Sequence, residues 1–254
     1  MTKTESEILQ FLNDNGLDLF TRDDINSLKS FSKYQLNTAI NDLLEKGAIN
    51  RLEKGKYCVY GFSDANVIGC FLAQNPCISY WTASNYHGLT EQISNVIFVQ
   101  TDRQKSSKKV LSVEYRFVWL REEKLFGYKT EGYGNHSYRI ADVEKTIIYC
   151  FDLPGYSGGY PEIIKAFYKA KLNTNRLITY CKKFNNISVT KRLAYLADLF
   201  NKQNLSSFMD YAQKIKNEKY NLFEHNGEPT GKINKKWGLV MNITEDEIIN
   251  MATI

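Results

Sequence analysis

Long apolar runs are missing from this sequence. No stretch approaches the roughly 20 residues that a membrane-spanning helix needs, and the opening MTKTESEILQ is too polar for a secretory leader. Both absences predict a soluble, cytoplasmic chain with no membrane partner. Histidine is scarce: His87, His136 and His225 lie far apart, and none has a cysteine or carboxylate at ligand spacing. No metal and no cofactor are expected. The same scarcity leaves no Ser-His-Asp or Cys-His grouping that spacing alone could assemble. The five cysteines, Cys58, Cys70, Cys77, Cys150 and Cys181, form no CxxC pair, and their odd number argues against a secreted disulfide framework. A reducing compartment fits them better.

What is present starts with size and charge. A chain of 254 residues exceeds the usual single domain and predicts two unequal ones. The net charge of +5 is unevenly spread: residues 160–240 hold 15 Lys or Arg against 6 Asp or Glu, a local +9 that leaves −4 for the remainder. Such segregation suits an anionic partner, although lysines on amphipathic helices also serve solubility.

The first sixty residues carry helix signals. Thr4 and Glu7 have capping-box spacing ahead of Ile8, Leu9, Phe11 and Leu12. Thr21 stands three residues before Asp24 and can start a short second helix with Ile25 and Leu28. Ser32 and Gln35 then open a third helix, SKYQLNTAINDLLEKG, which Gly47 ends. On it Leu36, Ala39, Ile40, Leu43 and Leu44 form an apolar stripe, while Lys33, Tyr34, Asn37, Thr38 and Asn41 gather on another side. That other face shows amides, hydroxyls and a phenol where a solvated helix usually shows Glu and Lys. AINRLEKGKYCVYGF follows as two alternating runs around EKGK, a hairpin with Gly55 for the turn.

Three helices and a hairpin predict a winged helix-turn-helix over residues 1–61, with the third helix in the DNA major groove and the hairpin beside the phosphates. Asn and Gln can pair with adenine, and Thr can touch a thymine methyl. The candidate DNA-binding residues are Lys33, Tyr34, Gln35, Asn37, Thr38 and Asn41 on the helix, with Arg51, Lys54 and Lys56 on the wing holding the backbone. Overall charge of the segment does not favour DNA, with 8 basic against 9 acidic side chains, but residues 29–56 hold 6 Lys or Arg against Asp42, Glu45 and Glu53.

Residues 62–254 are expected to form a larger mixed α+β domain with a small sheet and a helical C-terminal part. NVIFVQT, VLSVEYRFVWL and LFGYKTE read as strands, with TDRQKSSKK as an exposed basic hairpin tip between the first two. Helices are expected near 142–151, 160–171, 174–184, 190–202 and 206–217, and WGLVMNI reads as one returning strand. Asp142 in DVEKT has the placement of an N-cap, and Trp81, Tyr86 and His87 read as packing and capping groups. GYSGGYPEI lacks both the Lys-Ser/Thr of a P-loop and the strand context of a dinucleotide fingerprint. Lys182, Lys183, Lys191 and Arg192, flanking FNNISVT, form a possible additional nucleic-acid contact, near Lys165, Lys169 and Lys171.

The runs ISYWTASNYHGLTEQISNVIFVQT, YRIADVEKTIIYCFDLPGYSGGYPEIIKAF and KKWGLVMNI resemble the AbiEi family of antitoxins from type IV toxin-antitoxin systems. With the N-terminal module in front, the resemblance spans nearly the whole chain. It implies a bacterial transcriptional repressor that binds double-stranded DNA at operator repeats in its own promoter. It further implies a neighbouring nucleotidyltransferase toxin, countered without a stable complex, and no enzymatic activity of the antitoxin itself. Two alternatives stand beside it: a winged-helix regulator with no toxin partner, and a metal-dependent nuclease built on Asp102, Glu122 and Lys124, whose REEK context reads as a turn.

Overall fold

The computed structural model describes residues 1–253 and is a mixed α+β structure. Its first elements are α1 (Lys3–Asp14), β1 (Leu19–Thr21), α2 (Arg22–Ile25), α3 (Lys33–Glu45), β2 (Ile49–Glu53) and β3 (Lys56–Val59). Side-chain caps set the helix starts. Thr21 with Asp24 and Ser32 with Gln35 close as reciprocal capping boxes, as their spacing predicts. At α1 the expected cap is displaced: Thr2, not Thr4, is the extended N-cap and accepts from the Glu5 amide. The earlier start places Glu5 where its carboxylate meets Lys46 at 2.6 Å, tying α1 to the end of α3. Gly47, at φ +67°, takes the left-handed position beyond that end.

β1 was too short to show alternation in the sequence, yet it completes an antiparallel sheet in the order β1-β3-β2. Alternation along its strands sends side chains two ways. Phe20 and Tyr57, opposite each other and stacked at 5.5 Å, join Ile8, Leu12, Leu36, Ile40 and Leu43 in a core belonging to the first sixty residues. Leu19 and Cys58, the adjacent pair, join Leu52 in the larger core of the rest of the chain. Each fully buried Leu or Phe in such a core is worth about 1.5–3 kcal/mol, so the sheet fastens the N-terminal segment to the body by its second face.

The body continues with α4 (Ala65–Leu72), β4 (Cys77–Ile78), α5 (Tyr80–Tyr86), β5 (Val96–Thr101), β6 (Lys108–Val110), β7 (Val113–Trp119), β8 (Tyr128–Glu131) and β9 (Tyr138–Ala141). These strands make a six-stranded mixed sheet in the order β6-β7-β5-β4-β9-β8. The run VLSVEYRFVWL is two strands rather than one, because Leu111 and Ser112 adopt φ +47° and +69° and fold β6 back on β7. As β5 and β7 are parallel, TDRQKSSKK is the crossover into β6 and not a hairpin tip between them.

Helices α6 (Val143–Asp152), α7 (Tyr160–Lys169), α8 (Thr174–Phe184), α9 (Ile187–Leu199) and α10 (Ser206–Ile215) follow close to the expected ranges. Asp142 caps α6 by accepting from the Lys145 amide at 2.9 Å, and Ile147, Ile148, Cys150 and Phe151 of that helix are buried. The WGLVMNI strand, β12 (Leu239–Met241), is the centre of a second small sheet between β10 (Asn221–Leu222) and β11 (Lys232–Asn234), ahead of α11 (Glu245–Thr253).

Polar contacts reinforce the attachment of the first sixty residues. Asn135 donates to the carbonyls of Asn15 and Gly16 at 3.0 and 3.1 Å, and His136 Nε2 lies 2.7 Å from Asp18 Oδ2. On another side Lys105 and Lys108, from the crossover and β6, reach Glu53 of β2 at 2.7 and 3.1 Å.

Candidate nucleic-acid interface

The polar face of α3 is built by its apolar one. Leu36, Ala39, Ile40 and Leu43 are buried against α1 and the sheet, which leaves Tyr34, Asn37, Thr38 and Asn41 on the outside at three- and four-residue spacing. All four are exposed, as is Lys33, and Tyr34 retains 80% of its accessible surface. Gln35 is exposed too, but its Oε1 accepts from the Ser32 amide and hydroxyl at 2.9 Å each, so its carbonyl is occupied by the cap and its NH2 is left. The side chains of Asn37, Thr38 and Asn41 take part in none of the bonds that hold α3 in place. Free amide and hydroxyl groups in a row on a helix supported from behind are what base-edge contacts require.

The hairpin is less uniform than its composition suggests. Arg51 and Lys54 are exposed, Arg51 lying 6.0 Å from the Tyr57 ring centre. Lys56 is turned inward: its ammonium donates to the Phe71 carbonyl at 2.7 Å, sits over the Phe71 ring and pairs with Glu53 at 3.4 Å. Partial burial pulls its pKa below the usual lysine value, against the opposing pull of Glu53. Lys56 therefore belongs to the joint between hairpin and body rather than to a phosphate-facing surface, a correction to its expected role. Its ammonium reaches the Phe71 side of the β3 strand, which alternation alone cannot assign to joint or solvent.

Glu53 is the centre of that joint. Burial raises its pKa, but hydrogen bonds from Lys105 and Lys108 and the nearby charges of Lys105 and Lys56 outweigh this and hold the carboxyl below its ordinary value. Three ammonium groups around one carboxylate leave a surplus of positive charge at the base of the hairpin. Arg103 and Lys109, exposed in the same segment, extend it. Sequence reasoning marked this segment as basic and exposed but could not place it by the hairpin, because the contacts span 52 and 55 residues.

No protein-family profile matches the sequence, and no curated protein matches it. The fold does have a counterpart. A crystal structure of the RV2827C protein from Mycobacterium tuberculosis matches it with a TM-score of 0.69 at 12% sequence identity, over 98% of this chain and 94% of that one. At that identity the likeness concerns the fold alone.

The second basic group of the sequence divides in two. Lys182 and Lys183, at the end of α8, are exposed, with Lys182 over the Tyr211 ring and Lys183 over the Phe126 ring. Lys191 and Arg192 are buried, at 1% and 4% exposure. Lys191 donates to the Asn217 and Asn221 side chains and the Lys219 carbonyl, while Arg192 donates to the carbonyls of Leu222 and Phe223 and to Ser188. Their cations hold the 217–223 segment against α9. Of the four residues expected to add a nucleic-acid contact, Lys191 and Arg192 are withdrawn by burial, and Lys182 and Lys183 are exposed. Asn186 caps α9 at Ile187, so positions 191 and 192 lie within the helix and not at a loop edge, and α9 is buried on all sides from Val189 to Ala197.

Of the residues that metal-dependent cleavage would need, Glu122 and Lys124 lie on a short 3-10 turn, and Asp102 accepts a hydrogen bond from Asn75. Among the described residues no group of three His, Cys, Asp or Glu side chains is placed to hold a metal ion.

Proposed function

We propose that this protein is a DNA-binding transcriptional repressor whose first sixty-one residues are a winged helix-turn-helix module, with α3 as the recognition helix. The observation that carries the reading is the outer face of α3, where Tyr34, Asn37, Thr38 and Asn41 are exposed and uncommitted on a helix anchored from behind. Arg51 and Lys54 contact phosphates, and the surplus charge around Glu53 adds sequence-independent attraction.

The role as antitoxin of a type IV system rests on the resemblance of residues 78–101, 138–167 and 235–243 to the AbiEi family. On that reading the operator repeats lie in the protein's own promoter, the body counters a nucleotidyltransferase toxin without a stable complex, and no catalytic role is assigned to the chain. Selection of bound duplexes from a random library by the full-length protein tests the DNA reading: enrichment of one sequence is expected, and unbiased recovery refutes it. Co-expression with a nucleotidyltransferase encoded beside the gene tests the antitoxin reading, with restored growth expected and undiminished toxicity against it.

A further inference from the structure

A cleft of about 520 Å³ opens where the first twenty-five residues meet the body. Leu19 and Asp24 contribute from one side, Phe71 of α4 from another, and Thr130 of β8, Arg139 of β9 and Ser137 of the connection between them from a third. Its size falls within the roughly 300–1,000 Å³ of small-molecule sites, and it is open to solvent, with Asp24, Thr130 and Ser137 exposed on its rim.

Arg139 gives the cleft its chemistry. It faces Thr130 across the β8–β9 pair, which sets both side chains on the same face of the sheet. The guanidinium lies 4.8 Å from the Tyr128 ring centre. Arg139 has no carboxylate partner among the described residues, a condition it shares with Arg22, Arg51, Arg103 and Arg192, while Arg116, Arg121 and Arg176 are paired. An arginine fork with open donors beside the Thr130 hydroxyl is suited to a planar or tetrahedral oxyanion, while the Ser137 hydroxyl already donates to the Gly134 carbonyl at 2.9 Å. Asp24 also lines the cleft, its Oδ2 accepting from the Thr21 amide and hydroxyl. That second charge disfavours a polyanion.

We propose that this cleft binds a small organic acid, with one anionic group on Arg139 and Thr130 and an apolar body against Leu19 and Phe71. The site stands apart from the DNA reading, since none of its residues lies on the outer face of α3. An occupant touches both the N-terminal segment and the body.

The test uses the full-length protein, labelled with 15N, at constant ionic strength and without nucleic acid. Benzoate and phenyl phosphate share one apolar body and differ in the anion, and benzyl alcohol supplies that body without charge. Saturable shifts are expected at the Arg139 Nε–H and at the Thr130 and Ser137 amides with at least one anion, in the millimolar range or tighter. The better anion identifies a carboxylate or a phosphate as the ligand's group. Benzyl alcohol should bind at least about tenfold more weakly, and Arg139→Gln should weaken the anion by about tenfold or more, as expected for loss of a charge-assisted contact. Ser137→Trp fills the cleft while leaving Arg139 in place, and abolishes binding even if the arginine variant fails to fold. No saturable shift with either anion, equal binding of the alcohol, or unchanged binding in Ser137→Trp overturns the proposal.

Discussion

Replacing Glu53 with Gln removes the one carboxylate that Lys56, Lys105 and Lys108 share while preserving the side chain's size. A charge-assisted hydrogen bond contributes about 1.5–3 kcal/mol when shielded from water. Here the Lys105 and Lys108 side chains keep 24% and 30% of their exposure, so each bond is discounted toward the 0.5–1 kcal/mol of surface pairs. The longer Lys56 contact, at 3.4 Å, adds less. With three ammonium groups left facing one another, the expected cost near pH 7 is about 2 kcal/mol. The pH dependence gives a second reading. The Glu53 carboxyl titrates lower in the folded protein than its ordinary 4.5, so its stabilisation is complete above that value and is lost as pH falls through the folded one. Urea unfolding of wild type and Glu53→Gln should therefore show midpoints that are well separated near neutrality and converge as pH falls below 4.5 and through the lower folded pKa. A difference under about 0.5 kcal/mol at pH 7, or one that persists unchanged into acid, refutes the placement of Glu53 at the centre of the joint.

Two further substitutions probe buried and exposed lysines. Lys145 is fully buried among Phe126, Tyr149 and Phe184, its ammonium nitrogen without a hydrogen-bond partner, and burial pulls its pKa down to about 6. Lys145→Met should raise thermal stability. The gain should grow as pH falls from about 10.5 toward about 6, because over that interval the unfolded amine holds a proton that the folded one lacks; a pH-independent difference or a loss contradicts the reading. Reversal of Lys182 and Lys183 to Glu should cost about 1–2 kcal/mol of stability without unfolding the protein, since both end α8 and lie over the Tyr211 and Phe126 rings, and should lower affinity for DNA of every sequence without changing operator preference if that surface meets phosphates. Unaltered binding in a salt-controlled titration makes it a solubilising surface. The same reversal at Lys191 or Arg192 would test folding instead.

Local signals in the sequence were readable where a side chain meets its own backbone. The capping boxes at Thr21 and Ser32, the Gly47 stop and the Asp142 cap are contacts within three residues, and all form as spacing suggests. The five middle helices could be placed from apolar periodicity. What escaped was either too short or too distant. β1 and β9 have three and four residues, and β11 has three, too few for alternation to register. The break at Leu111 and Ser112 depends on two positive φ angles at residues that rarely adopt them. At the candidate interface, the exposed face of α3 followed directly from its apolar stripe. The inward turn of Lys56, the burial of Lys191 and Arg192, and the approach of Lys105 and Lys108 to Glu53 all depend on partners 15 to 55 residues away. A basic residue's sequence neighbours do not reveal whether water or a carbonyl surrounds its charge.

The most direct measurement concerns Asn37, Thr38 and Asn41. Each is changed singly to Ala, and binding to the selected operator and to a scrambled duplex is titrated at one fixed salt concentration. Because these side chains are exposed and outside the bonds that hold α3, the fold should be kept. The account predicts a loss of about 1–3 kcal/mol on the operator for at least one of them, and a much smaller loss on the scrambled duplex. Equal losses on the two duplexes, or no loss on either for all three variants, would contradict α3 as the helix that reads sequence.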